Sequence, residues 1–143
     1  MKRGKKFSVL LFVLVLAGII LNGSGSTTDE AFKPIISLNE VNDLPDTEIV
    51  EKLFIMDLEH CKDRSIFSDI KIFDYKDVEV RKVNYPKDDS IYSVVYSVRS
   101  FSPYWEAGNG HIDSFGWILN KSIYVRLIKD NEQLRLKYIG TGL

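Results

Sequence analysis

Apolar and polar positions along the chain fall into three regimes. Residues 7–21 form an almost unbroken apolar run without a charge. Residues 45–62 then carry apolar side chains at helical spacing. Ile49, Leu53, Met56 and His60 fall on one line, and Val50, Phe54, Leu58 and Cys61 on a second beside it. Two adjacent lines give a helix with one broad face toward a core. Asp43 and Pro45 mark its start, and Asp46 and Glu48 suit the positive end of its dipole. After a break at 63–68 the period becomes two, the spacing of strands. The alternation predicts strands over 69–83, 90–100, 115–129 and 133–139, with a bulge or bend at 74–77. Turn-forming residues occupy 84–89, a long loop 101–114, and a tight hairpin 130–132. In the second strand Tyr92, Val94, Tyr96 and Val98 share a face. In the third Trp117, Leu119, Ile123, Val125 and Leu127 do, and in the fourth Leu134, Leu136 and Tyr138 point inward.

These elements predict an α+β domain: one long N-terminal helix packed on a curved antiparallel four-stranded meander. In element order, residues 45–143 resemble the cystatin-like fold and the cone-shaped fold of nuclear-transport-factor-2-like proteins. The last third is similar to small exported proteins of Gram-positive-type bacteria. The residues that carry this likeness are the 105–110 loop, the Gly116-Trp117 strand start and the 139–142 terminus. The resemblance implies a fold and a compartment rather than an activity. A single long helix, where larger cone-shaped members have two or three, implies a small pocket and argues against enzymatic use.

Lys2, Arg3, Lys5 and Lys6 precede the apolar run, and Asn22-Gly23-Ser24-Gly25-Ser26 follows it. That order is the plan of a secretory signal. About 15 apolar residues fall short of the roughly 20 that span a bilayer. Residues 1–26 therefore read as a signal peptide or an N-terminal membrane anchor, 27–44 as a flexible tether and 45–143 as the domain. The domain is expected outside the cytoplasm, either secreted or held to the outer face of the plasma membrane by residues 7–21. Four of the 19 basic residues lie before the run and all 20 acidic ones after it, leaving the remainder five charges negative. An acidic surface argues against nucleic acid and anionic headgroups, so membrane contact is expected through the N-terminal segment alone. Cys61 is the one cysteine, so no internal disulfide can form and the fold rests on its core.

Candidate chemistry concentrates in the 102–113 loop, which holds Tyr104, Trp105, Glu106, Asn109, His111 and Asp113 between glycines. Loops on a rigid scaffold often carry function. Glu106, His111 and Asp113 could act as base, shuttle and orienter, or could hold a metal with two carboxylates and an imidazole. Alternatively, Tyr104 and Trp105 simply cap the open end of the sheet. Tyr96 and Tyr124 could line a concave ligand face or form an aromatic ladder across the strands. There is no Gly-rich phosphate loop, Ser-centred elbow or paired-Cys site, so no cofactor or metal is expected. The leading expectation is a non-catalytic binding or interaction module of the cell envelope. Its partner would be an envelope protein, a wall component or a small ligand, with Trp105 as a surface contact. The alternative is a small cone-shaped enzyme using His111 with Glu106 or Asp113.

Overall fold

A computed structural model of the chain describes residues 32–142. The expected targeting segment and residues 27–31 of the expected tether lie outside the described residues. The described elements are β1 (Ile35–Ser37), a 3-10 turn (Leu38–Glu40), α1 (Asp46–Asp63), β2 (Asp74–Lys82), β3 (Ile91–Arg99), a one-turn helix α2 (Pro103–Glu106), β4 (His111–Ile112), β5 (Trp117–Asp130) and β6 (Gln133–Gly140).

This architecture corrects the expected one. The described residues form mostly antiparallel sheet, six strands curled into a half-barrel, with a single helix longer than one turn among them. The plan of a long N-terminal helix on a four-stranded meander, cystatin-like or nuclear-transport-factor-2-like, does not describe it. A strand, not a helix, opens the described fold. The sheet order is β1-β6-β5-β3-β2, and β4 adds to β5 beside that path. β1 and β4 are three and two residues long, too short to show a period. β1 lies within the stretch read as tether, where Ile36 pairs with Leu134 of β6 and is itself buried.

A second correction concerns the face of β5. Asn120 takes φ 55°, and the pairing with β3 shifts between Tyr96 and Val98. One extra residue in β5 flips the side chains that precede it, because the strand period is two. Ile118, Lys121, Val125 and Leu127 are therefore the buried positions. Trp117 instead lies beneath cations, with Lys76 Nζ 4.5 Å and Arg99 5.9 Å from its ring centre. The Ser97 hydroxyl accepts from the Asn120 N–H (3.3 Å), which satisfies the donor that the bulge removes from the ladder. The bend at 74–77 is present too: Asp77 takes φ 54° where the β2–β3 register shifts. Asn131 and Glu132, at φ 44° and 64°, close the β5–β6 hairpin.

α1 lies on the inner face of the sheet. Its Ile49, Val50, Leu53, Phe54, Leu58 and Cys61 are buried in one cluster with Tyr92, Val94, Tyr96, Val98, Val125 and Leu134. Met56, read as a core position, is instead 37% exposed. β2 forms one edge of the sheet and carries Lys76, Asp77, Glu79, Arg81 and Lys82, all exposed. Among the described residues no helix is long and apolar enough to cross a membrane.

Candidate functional site

The 102–113 loop is built around Lys121. Its side chain is 6% exposed, and Nζ donates to the carbonyls of Trp105 (2.8 Å), Ala107 (3.1 Å) and Asn109 (3.0 Å). An ammonium has three donors, and here each meets a carbonyl. Burial pulls the Lys121 pKa below the usual lysine value. The Asn109 amide donates to the Ser122 carbonyl (2.8 Å) and hydroxyl (2.9 Å) and accepts from the Ser122 N–H (3.0 Å). It thus completes part of a missing strand. The Asp113 carboxylate accepts from the N–H groups of Phe115 (2.8 Å) and Trp117 (2.9 Å) and so shapes the turn into β5.

Trp105, read either as a contact residue or as a cap on the open end of the sheet, is only 9% exposed. It belongs to the core, and its indole N–H donates to the Ile70 carbonyl (3.0 Å). Removing such a side chain costs about 3–5 kcal/mol, and Trp105 closes the end of the core. Tyr104 is exposed and stands edge-on to Trp105, with centroids 5.3 Å apart. Glu106 and His111 are exposed, and among the described residues neither side chain makes a hydrogen bond or ion pair. Asp113 is committed to its turn. No group of three His, Cys, Asp or Glu side chains suited to a metal occurs among the described residues.

Tyr96 is buried and packs edge-on to Phe54 at 4.9 Å, while Tyr124 is half-buried opposite Ser93. Tyr96 belongs to a polar group under α1 with Asp57, Cys61 and Tyr138. Tyr138 donates to the Asp57 carboxylate. Burial raises Asp57, Tyr96 and Tyr138, and pushes the Cys61 thiol up to about 12. A thiol held in that form is a poor nucleophile at neutral pH.

The arrangement with the features of a contact site lies next to the loop, at the pole where α1 ends. Residues 69–73 are fastened to residues 99–105 by Phe73 N–H to Arg99 O (2.8 Å), Ser100 Oγ to Lys71 O (2.7 Å), Ser102 Oγ to Asp69 O and the Trp105 indole. The Lys71 ammonium donates to the Lys62 carbonyl and Ile72 N–H to Cys61 O (3.3 Å), so the same segment caps the helix. On this backbone stands Phe101 (70% exposed), and Ile66 (69%) and Phe67 (89%) stand on the turn just before it, closed by Ser68 N–H to Ser65 O (2.9 Å). With Phe73, Ser100 and Pro103 they surround a pocket of about 200 Å³. Phe73 and Phe101 meet at 5.6 Å, and Phe101 lies on Gly116, where a Cβ would come within 2.7 Å of its ring.

No protein-family model, curated protein or solved structure matches this chain.

These aromatics carry none of the polar groups that mark a catalytic loop. A usable signal was present. Ile66, Phe67 and Phe101 are apolar residues in predicted breaks and belong to no periodic face, so nothing in the fold requires them inward.

Proposed function

We propose that the domain is a non-catalytic binding module of the cell envelope, exported by the segment at its N-terminus, and that its contact surface is the aromatic pole around Phe67 and Phe101. The observation that carries this reading is the combination of exposure with rigidity. Monomeric soluble proteins seldom keep clustered aromatics in water without a use for them. The backbone that carries Phe101 is fastened by Ser100, Ser102 and the Phe73 N–H, and the turn that carries Ile66 and Phe67 is closed by Ser68 N–H to Ser65 O. The open, roughly 200 Å³ pocket is large enough for one bulky apolar group.

The test is site-specific crosslinking in cells. A photoreactive phenylalanine analogue placed at Phe67 is expected to give adducts in the envelope fraction. The same analogue at Asn131, in the hairpin at the other end of β5, is expected to give none. Equal yields at the two positions, or no adduct at Phe67, would overturn the reading.

A further inference from the structure

We infer that the outer face of the sheet is a second binding surface, and that its occupant is a linear phosphate polymer without nucleobases. The register assigns the face. Tyr92 and Tyr138 reach Asp46 and Asp57 of α1, so the positions that alternate with them point away from the helix. Residues paired across strands share a face. Lys76, Arg81, Arg99, Arg126, Arg135 and Lys137 therefore project together from four adjacent strands. Of the five arginines among residues 32–142, four stand here. Net charge conceals this, because much of the acid lies on the other side: α1 carries six acidic residues against Lys52 and Lys62.

The cations form two groups. Arg126, Lys137 and Arg135 are neighbours on β5 and β6. Lys76 and Arg99 flank the Trp117 ring at the other end. Asp88 and Glu79 neutralise Arg126 (2.6 Å) and Arg81 (2.9 Å), and Asp74 turns to Lys62 (3.6 Å). Lys76, Arg99, Arg135 and Lys137 have no carboxylate partner among the described residues. Along β3 the groups are separated by the stretch from Ile91, which pairs with Arg126, to Arg99, about 26 Å of strand. The short side chains of Ser93, Val95 and Ser122 floor the interval. That span is too long for one small anion and suits a chain of anions. A flat layer of headgroups would meet the convex side of a half-barrel at one group only, whereas a flexible chain follows it. Arginine forks match phosphate oxygens. No exposed large apolar side chain stands between the groups to anchor a protein partner. Modules for single-stranded nucleic acid present open aromatic rings on which bases stack. Here the Trp117 ring is taken by two cations, so the contact is to phosphate.

The test is calorimetric titration of the full chain, in a neutral detergent, with long-chain sodium polyphosphate at several salt concentrations. Arg135→Gln with Lys137→Gln is expected to weaken binding at least ten-fold. It should also reduce the slope of log affinity against log salt by about 1.4, from about 0.7 for each of two phosphate contacts. Lys76→Gln with Arg99→Gln, at the far end, is expected to weaken it as much, which keeps the test open if one pair fails to fold. Lys52→Gln with Lys129→Gln removes the same charge from the helix side and should leave affinity within two-fold. Absence of polyphosphate binding, or an equal loss from the helix-side pair, overturns the inference. Tripolyphosphate bound as tightly as the long chain would mean a single-anion site and overturn it. Tighter binding of polyglutamate, of single-stranded DNA of equal charge or of phosphatidylglycerol micelles would overturn it in favour of that partner. None of these variants touches the aromatic pole, so this result and the crosslinking result stand or fall separately.

Discussion

Lys121 faces the core because it lies in phase with Ile123, Val125 and Leu127, while the extra residue at Asn120 turns Trp117 and Leu119 to the other face. With methionine at this position the Trp105, Ala107 and Asn109 carbonyls would lose their common donor. Buried acceptors left unpaired cost on the order of 2 kcal/mol. Lys121→Met is therefore expected to lower stability by about that amount in a urea titration, and Lys121→Arg to recover little, since a planar fork cannot meet three carbonyls arranged around a point. Asp57 answers to pH instead. Burial raises its pKa, an effect that the Tyr138 hydrogen bond and His60 only partly offset. The folded chain thus holds this proton more tightly than the unfolded chain does. The resulting stabilisation is complete below the unfolded value, near 3.8, and is lost as pH rises through the raised one. Asp57→Asn cannot titrate, so its melting temperature should gain on the parent more at pH 7 than at pH 3.5. An equal difference at both pH values would refute this. Neither residue was legible as a structural centre. Alternation alone puts Lys121 on the face of Ile123 and Val125, but a lysine there reads as a solvent-facing exception because nothing in the period shows the three carbonyls that meet it.

At the scale of elements, spacing showed where strands lie but not how they join. The regular alternation of β3 and of most of β6 was plain in the residues, as was the hairpin at 130–132. The edge pieces β1 and β4 were hidden by their length. The reversal within β5 was hidden because Trp117 and Leu119 look as suited to burial as Ile118 does. Two glycines in the adjoining loop give a measure of how tightly it is held. Gly108 and Gly110 both have positive φ, 86° and 96°. A side chain at either position meets the left-handed penalty of about 1–2 kcal/mol. Only at Gly110 would a Cβ also strike the Leu119 carbonyl and the Lys121 stem, both at 2.9 Å; at Gly108 nothing lies within 4 Å. Gly110→Ala should lower the melting temperature at least twice as far as Gly108→Ala and speed amide exchange around Lys121. Equal effects would mean that the loop yields.

For the molecule as a whole, Trp105 and Lys121 pack the 102–113 loop onto the end of the core. The exposed surface that calls for an explanation lies in the breaks between predicted elements. Periodicity identifies what a fold must bury, and it is silent on apolar residues outside any period. Phe67 and Phe101 contribute little to the core, so Phe67→Ser with Phe101→Ser should leave the thermal transition within a few degrees of the parent. The same pair should reduce binding of an apolar dye at the surface. A large loss of stability would show that the pole is part of the core after all. The opposite margin of the sheet has its own consequence. A half-barrel leaves the outer ladder of β2 unpaired, and an unpaired ladder is a template for further strands. Here that ladder is lined with Lys76, Glu79, Arg81 and Lys82 and kinked at Asp77. A strand added from outside would have to bury those charges and follow the kink. At high local concentration this margin therefore resists growth into fibres by strand addition.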